Sequence, residues 1–197
     1  MKEFWDEKYT KQPFLYGEKP NDFFRETIQD LKPGSLLLPG EGEGRNAVYA
    51  ARHGWRVTAL DSSRVAINNA LKLAGRYGVT INYLYTDLIN DPLPAEQYDL
   101  IALCFLHLPE QFRPDFHQVL MEHLNPGGIL IGEFFSREQL KYNSGGPKDP
   151  SMLYTRENLI EDFSNYRLIS LEQINIMLNE GPGHQGPGNV LRLIVTK

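Results

Sequence analysis

One cysteine, Cys104, stands in 197 residues, so no internal disulfide can form and the fold has to rest on its apolar core. There is no basic excess either: the net charge is −5 and the pI about 5.6. Such a chain has no positive field to draw in nucleic acid or an anionic membrane, and neither is expected as a partner. No apolar run approaches the ~20 residues needed to cross a bilayer, and Met1-Lys2-Glu3-Phe4 does not look like a secretory leader. A cytoplasmic protein is therefore expected, as a monomer or homodimer. Internal repeats and low-complexity tracts are missing, and the five histidines do not fall at metal-ligand spacings. What remains is a chain with 41% hydrophobic residues, enough to bury one core as a single domain over residues 1–197.

Apolar runs alternate with helix-forming stretches. Leu36-Leu37-Leu38 breaks into Pro39-Gly40-Glu41-Gly42-Glu43-Gly44 and then into Arg45-Asn46, which reads as strand, tight turn and helix. Glycines at every second position let a ligand approach the main chain, and the amides that open the next helix face it. The following strand, Trp55 to Leu60, ends in Asp61, roughly 20 residues beyond the glycines, where a ribose-binding acid belongs. The nicotinamide fingerprint asks for a third glycine where Arg45 stands, so the loop suits a nucleoside better than a dinucleotide.

The rest of the chain extends the pattern. Helices are predicted over 3–10, 21–31 and 46–52, with His53-Gly54 closing the third, and over a stretch from Ser62-Ser63 to Tyr77. Strands are expected at 80–85, 98–105, 129–134, 166–176 and 189–196. A helix begun by Pro109 and running to about Leu124 should carry Phe112, Phe116, Leu120 and Leu124 inward, with His117 and His123 on its solvated side. Residues 136–153 are polar and rich in glycine and proline, as in a mobile lid, and 179–188 form a connection containing His184. Thr155 should open a capping box with an acid nearby. The architecture is α/β: a Rossmann-like seven-stranded sheet, mostly parallel with the last strand antiparallel, and helices on both faces.

The run PGEGEGRNAVYAARHGWRVTALDSS resembles the cofactor motif of class I S-adenosylmethionine-dependent methyltransferases, in the branch that holds the tellurite-resistance and thiopurine enzymes. FWDEKY, YGEKPNDFF, YDLIALCFLHLP, LNPGG, GGPKD and EGPGHQG are similar to motifs of that branch, so the resemblance covers nearly the whole chain. It implies S-adenosyl-L-methionine as cofactor, S-adenosyl-L-homocysteine as product, and a small-molecule acceptor. The implied cofactor residues are Gly40, Glu41, Gly42, Asp61, Ser62, Asp87 and Leu88, with Phe105, Trp5 and Tyr16 as walls and residues 1–31 as a helical cover. Asp87 would accept from the adenine amino group and Asp61 from the ribose. His184 and His107 are the candidate bases.

Two departures stand out. The family carries an acid at the position of Leu38, which leaves Glu41 as the nearest replacement, and an arginine after the histidine, where this chain has Gln185. Loss of that guanidinium weakens the case for an oxyanion acceptor. Three alternatives stay open: a protein that binds the cofactor without catalysis, a methyltransferase acting on a protein side chain, and a nicotinamide oxidoreductase.

Overall fold

In a computed structural model that describes residues 2–197, seven strands form one sheet in the order β3-β2-β1-β4-β5-β7-β6. Met1, where the single-domain reading begins, lies outside the described residues. The strands are β1 (Ser35–Pro39), β2 (Arg56–Asp61), β3 (Asn82–Tyr85), β4 (Tyr98–Cys104), β5 (Leu124–Phe135), β6 (Arg167–Glu180) and β7 (His184–Thr196). The first five pair in parallel, whereas β7 runs antiparallel to both β5 and β6. The expected seven-stranded Rossmann-like sheet is thus borne out.

Alternation along the strands divides the core in two. Leu36, Leu38, Val57, Ala59, Leu100 and Ala102 point to a layer shared with α2 (Asp22–Gln29), α3 (Arg45–Arg52) and α4 (Arg64–Arg76). Leu37, Leu60, Ile101 and Leu103 point the other way, to α5 (Arg113–Glu122) and α6 (Arg156–Asp162). Near-continuous apolar strands are what a parallel sheet covered on both faces requires. The first helix, α1 (Lys2–Lys11), packs on α4. Among the described residues no helix is long and apolar enough to cross a membrane.

Local rules account for the helix starts. Asn21 caps α2 and Ser63 caps α4 by accepting from the third amide onward, and His53 ends α3. Thr155 does open a capping box, but the reciprocal partner is Asn158, not an acid.

Three features differ from expectation. Pro109 starts a short 3-10 turn, so the helix proper is Arg113–Glu122; Phe112 is exposed and Leu124 already belongs to β5. His117 is not solvated: it is 1% exposed, donor or acceptor at Nδ1 to Asp162 at 2.8 Å, and stacked on Phe163. The helix turns it inward because α6 packs there and supplies a carboxylate partner, which spacing along α5 cannot reveal. Finally, β6 and β7 extend through the predicted 179–188 connection and leave only residues 181–183 as the turn.

Candidate active site

The β1–α3 loop turns on three left-handed glycines, Gly40 (φ 65°), Gly42 (φ 67°) and Gly44 (φ 85°). Gly44 holds the N-cap of α3 but has no side chain to satisfy the helix amides. Glu41 does that work instead. Its Oε1 accepts from the Asn46 and Ala47 amides, both at 2.8 Å, and its Oε2 accepts from Asn46 Nδ2 at 3.1 Å. Burial pushes this carboxyl up to about 7, opposed by the same amides. The end of α3, where a pyrophosphate would sit in a dinucleotide fold, is therefore filled by the chain's own acid. Leu38 is buried in the core, so no second acid faces the loop from its position.

Asp61 ends β2 beside this loop. Its carboxylate accepts from Gly42 N at 2.9 Å and Ser63 N at 2.8 Å, and burial raises it to about 6. The pin fixes the acid against the glycine turn and leaves each oxygen a further lone pair. Tyr83 donates to the Gly42 carbonyl at 2.5 Å. From the other side, α1 lies across the loop. A Cβ on Gly42 would stand 2.8 Å from the Tyr9 hydroxyl, and Ser63 Oγ donates to Asp6 at 2.6 Å. Trp5 stacks on Tyr9 and carries Lys8 over its face, so Tyr9 and not Trp5 is the ring that α1 presents to the loop.

Asp87 spends its carboxylate locally, accepting from Ile89 N at 3.0 Å and Asn90 Nδ2 at 2.9 Å. Leu88 packs against the α5 side of the core. Ser62 supplies a backbone hydrogen bond to Asp61.

Beyond the carboxyl end of β4 the chain builds an aromatic enclosure. Phe105 is forced to φ 55°, a left-handed conformation that costs a side-chain-bearing residue roughly 1–2 kcal/mol. Its amide donates to Glu133 O at 2.8 Å and its ring lies 4.5 Å from Phe135 and 4.7 Å from His184. Tyr16 closes the other side of His184 at 4.4 Å. Gly145 and Gly146 form a roof: a Cβ on the first would strike His184 and on the second Phe135. The roof segment is pinned to β7 by Ser144, which donates to Pro187 O, and by Gln139, which accepts from Asn189 N at 2.9 Å.

His107 lies beside this enclosure but has no free nitrogen. Its Nδ1 bonds Met152 O at 2.8 Å and its Nε2 accepts from Phe135 N at 3.3 Å, while burial lowers its pKa to about 4. That arrangement ties the 150s turn to β5 and leaves His184 as the base candidate. Among the described residues no cluster of His, Cys, Asp and Glu is placed to hold a metal.

The comparisons with known proteins fall on the part of the chain that carries this glycine turn and its strand-end acid. The family description "Methyltransferase domain" matches residues 37–128, which run from β1 through the start of β5. Over that stretch the chain is similar to a methyltransferase domain.

Its fold is shared with TehB from Haemophilus influenzae, 18% identical with a TM-score of 0.76 over 98% of this chain and 67% of that one. It is shared too with N-methyltransferase NodS from Bradyrhizobium japonicum WM9, solved with S-adenosyl-L-homocysteine, 17% identical with a TM-score of 0.73 over 100% and 97%. A probable thiol methyltransferase 2 of Arabidopsis thaliana is 31% identical over 123 residues, 59% of this chain and 52% of its own length. The chain spans between 31% and 63% of the length of these curated relatives.

Sequence reasoning passed over the polar network that underlies this site. Arg45 donates to Glu180 Oε2 at 3.1 Å and to Tyr16 O at 3.2 Å. Asn21 Nδ2 donates to Glu133 at 2.6 Å and Glu180 at 3.1 Å, and Arg192 donates to Glu133 at 2.6 Å. Glu43 accepts from the amides of Phe14 and Leu15, at 2.7 and 2.8 Å, which hangs the N-terminal segment on the cofactor loop. These partners lie up to 159 residues apart, so spacing carries no trace of them. The one available signal was Glu180 four residues before His184, at the ends of a possible hairpin.

Proposed function

We propose that the protein is a cytoplasmic enzyme that transfers a methyl group from S-adenosyl-L-methionine to a small acceptor, a thiol or similar group. The observation that carries the cofactor is Glu41 on the end of α3: it occupies the amides a phosphate would need. A dinucleotide is disfavoured because its pyrophosphate would find those amides taken, whereas a nucleoside without a pyrophosphate does not need them. Gly40, Gly42, Asp61 and Ser62 would hold its ribose and amino-acid end. Asp87 and Leu88 would hold the base, with Phe105, Tyr16 and the α1 aromatics closing around it.

When bound, S-adenosyl-L-methionine supplies an activated methyl on a sulfonium, which leaves as the neutral thioether S-adenosyl-L-homocysteine. The chain's contribution is to align, dry and deprotonate. Tyr16, Phe105 and Phe135 exclude water around His184, and His184 is the group suited to take a proton from the acceptor. Around His184 both guanidiniums are engaged, Arg45 by Glu180 and Arg192 by Glu133, while Lys8 lies over the Phe4 and Trp5 rings and Gln185 folds back on Gly181 O at 2.8 Å. A neutral acceptor that must lose a proton therefore fits better than an oxyanion, in keeping with the thiol methyltransferase relative.

Calorimetric titration with S-adenosyl-L-methionine and with NADH tests the reading. Binding of the first alone is expected, and its loss in Gly42→Val, because a side chain there meets a φ of 67° and the Tyr9 hydroxyl. Binding of NADH, or of neither, overturns it. Saturation without product from any thiol, selenite or tellurite acceptor would instead mark a binding protein.

A further inference from the structure

The β6–β7 hairpin closes on three residues, with Glu180 and His184 paired across its end. Its tip is wedged against the N-terminal segment. A Cβ on Gly181 would come within 2.2 Å of Gly17 N, and Gly183 N donates to Leu15 O at 2.8 Å. So held, Glu180 lies between three donors. Its Oε2 receives Arg45 Nη2 and His184 Nδ1, each at 3.1 Å, and its Oε1 receives Asn21 Nδ2 at 3.1 Å. The Glu180 and His184 side chains are 12% and 5% exposed.

An ionised carboxylate only accepts, so the nitrogen facing it must carry the proton. The other ring nitrogen is then left with a lone pair. His184 Nε2 lies against Gly145, where a Cβ would stand 3.1 Å away, and the ring centroid lies 4.7 Å from that of Phe105 and 5.2 Å from that of Phe135.

Resting on the methyltransferase reading above, we propose that Glu180 is a positioning residue: it fixes His184 as the Nδ1–H tautomer and so presents Nε2 as the base for the acceptor. In the step this implies, the acceptor's X–H proton moves to Nε2 and the X–H electron pair forms the new bond to the methyl carbon. The carbon–sulfur bond of the sulfonium breaks with its pair going to sulfur. The imidazolium left behind is paired by Glu180 and returns its proton to water when the site opens. Arg45 keeps Glu180 from taking that proton itself, and the Glu180 carboxyl is held down to about 2 despite its burial.

His184 is faced by Glu180 from β6, Arg45 from α3, Lys8 from α1, Tyr16 from the N-terminal segment and His107 from beyond β4. Burial lowers its pKa most, Glu180 raises it, and Arg45 and Lys8 lower it. Neutralising Glu180 therefore makes the ring a weaker base as well as freeing its orientation.

The test begins on the wild-type protein, with nitrogen chemical shifts of His184 assigned by their disappearance in His184→Gln. A protonated Nδ1 in the neutral ring is expected, and a protonated Nε2 overturns the proposal whether or not any variant folds. In Glu180→Gln the acid limb of the methyl-transfer rate should move down by about one pH unit and the rate at neutral pH should fall about tenfold or more. The double variant with His184→Gln should be no slower than His184→Gln alone. An unmoved limb, or losses that multiply, would show Glu180 to be a scaffold residue only. Failure of the wild type to bind S-adenosyl-L-methionine would sink the methyltransferase reading, while the tautomer would still be read.

Discussion

Glu41 couples stability to pH, with a sign opposite to that of a carboxylate held by a salt bridge. Its pKa rises from 4.5 to about 7 on folding because desolvation outweighs the three hydrogen bonds it receives at the end of α3. The folded chain therefore holds this proton more tightly than the unfolded one. Its contribution is fully present below about pH 4.5 and is lost as the pH rises through about 7. A displacement of that size carries roughly 3 kcal/mol. Glu41→Gln keeps the shape and mimics the protonated acid, so it removes the pH-linked loss while giving up one acceptor to Asn46 Nδ2. Urea unfolding of both proteins at pH 5, 6, 7 and 8 isolates the effect, because Asp61, Glu43 and Glu133 titrate in both. The stability of the variant relative to wild type should climb by about 2–4 kcal/mol across that range. A difference that stays flat from pH 5 to 8 would refute the argument, since it would mean that Glu41 is either solvated or fully compensated by the helix.

The remaining perturbations test packing. Gly44→Ala should destabilise by about 2–4 kcal/mol, because the new Cβ would sit 2.6 Å from that of Ala70 at φ 85°; Gly78→Ala, also left-handed but in open space, should cost only about 1. Equal losses in denaturant melts would show that backbone conformation alone decides. His117→Leu should cost about 2–4 kcal/mol, since Asp162 would be left buried without its 2.8 Å partner. A loss below about 1 kcal/mol in the same assay would mean that water reaches the carboxylate.

The parallel half of the fold was legible because its signals are local. Apolar strands, the glycine loop, Asp61 at the next strand's end and the Ser63 cap each follow from residues within one β-α-β unit, and all take the predicted places. His117 was misread because it is governed by a partner 45 residues away, Asp162, and His107 stayed open for a like reason, since Met152 O, which engages it, is as distant. Periodicity reports which face a residue takes on its own helix, not which element will cover that face.

The sequence by itself determined the architecture and the place of the nucleoside loop, because short-range steric and hydrogen-bonding rules dictate both. Only the tertiary structure decided that Glu41 seals the helix end, that Tyr9 is the aromatic over Gly42, and that Glu180 with Arg45 stands behind His184. Buried charges find partners wherever the folded chain brings them, since an unpaired charge in the interior costs more than any local preference can repay.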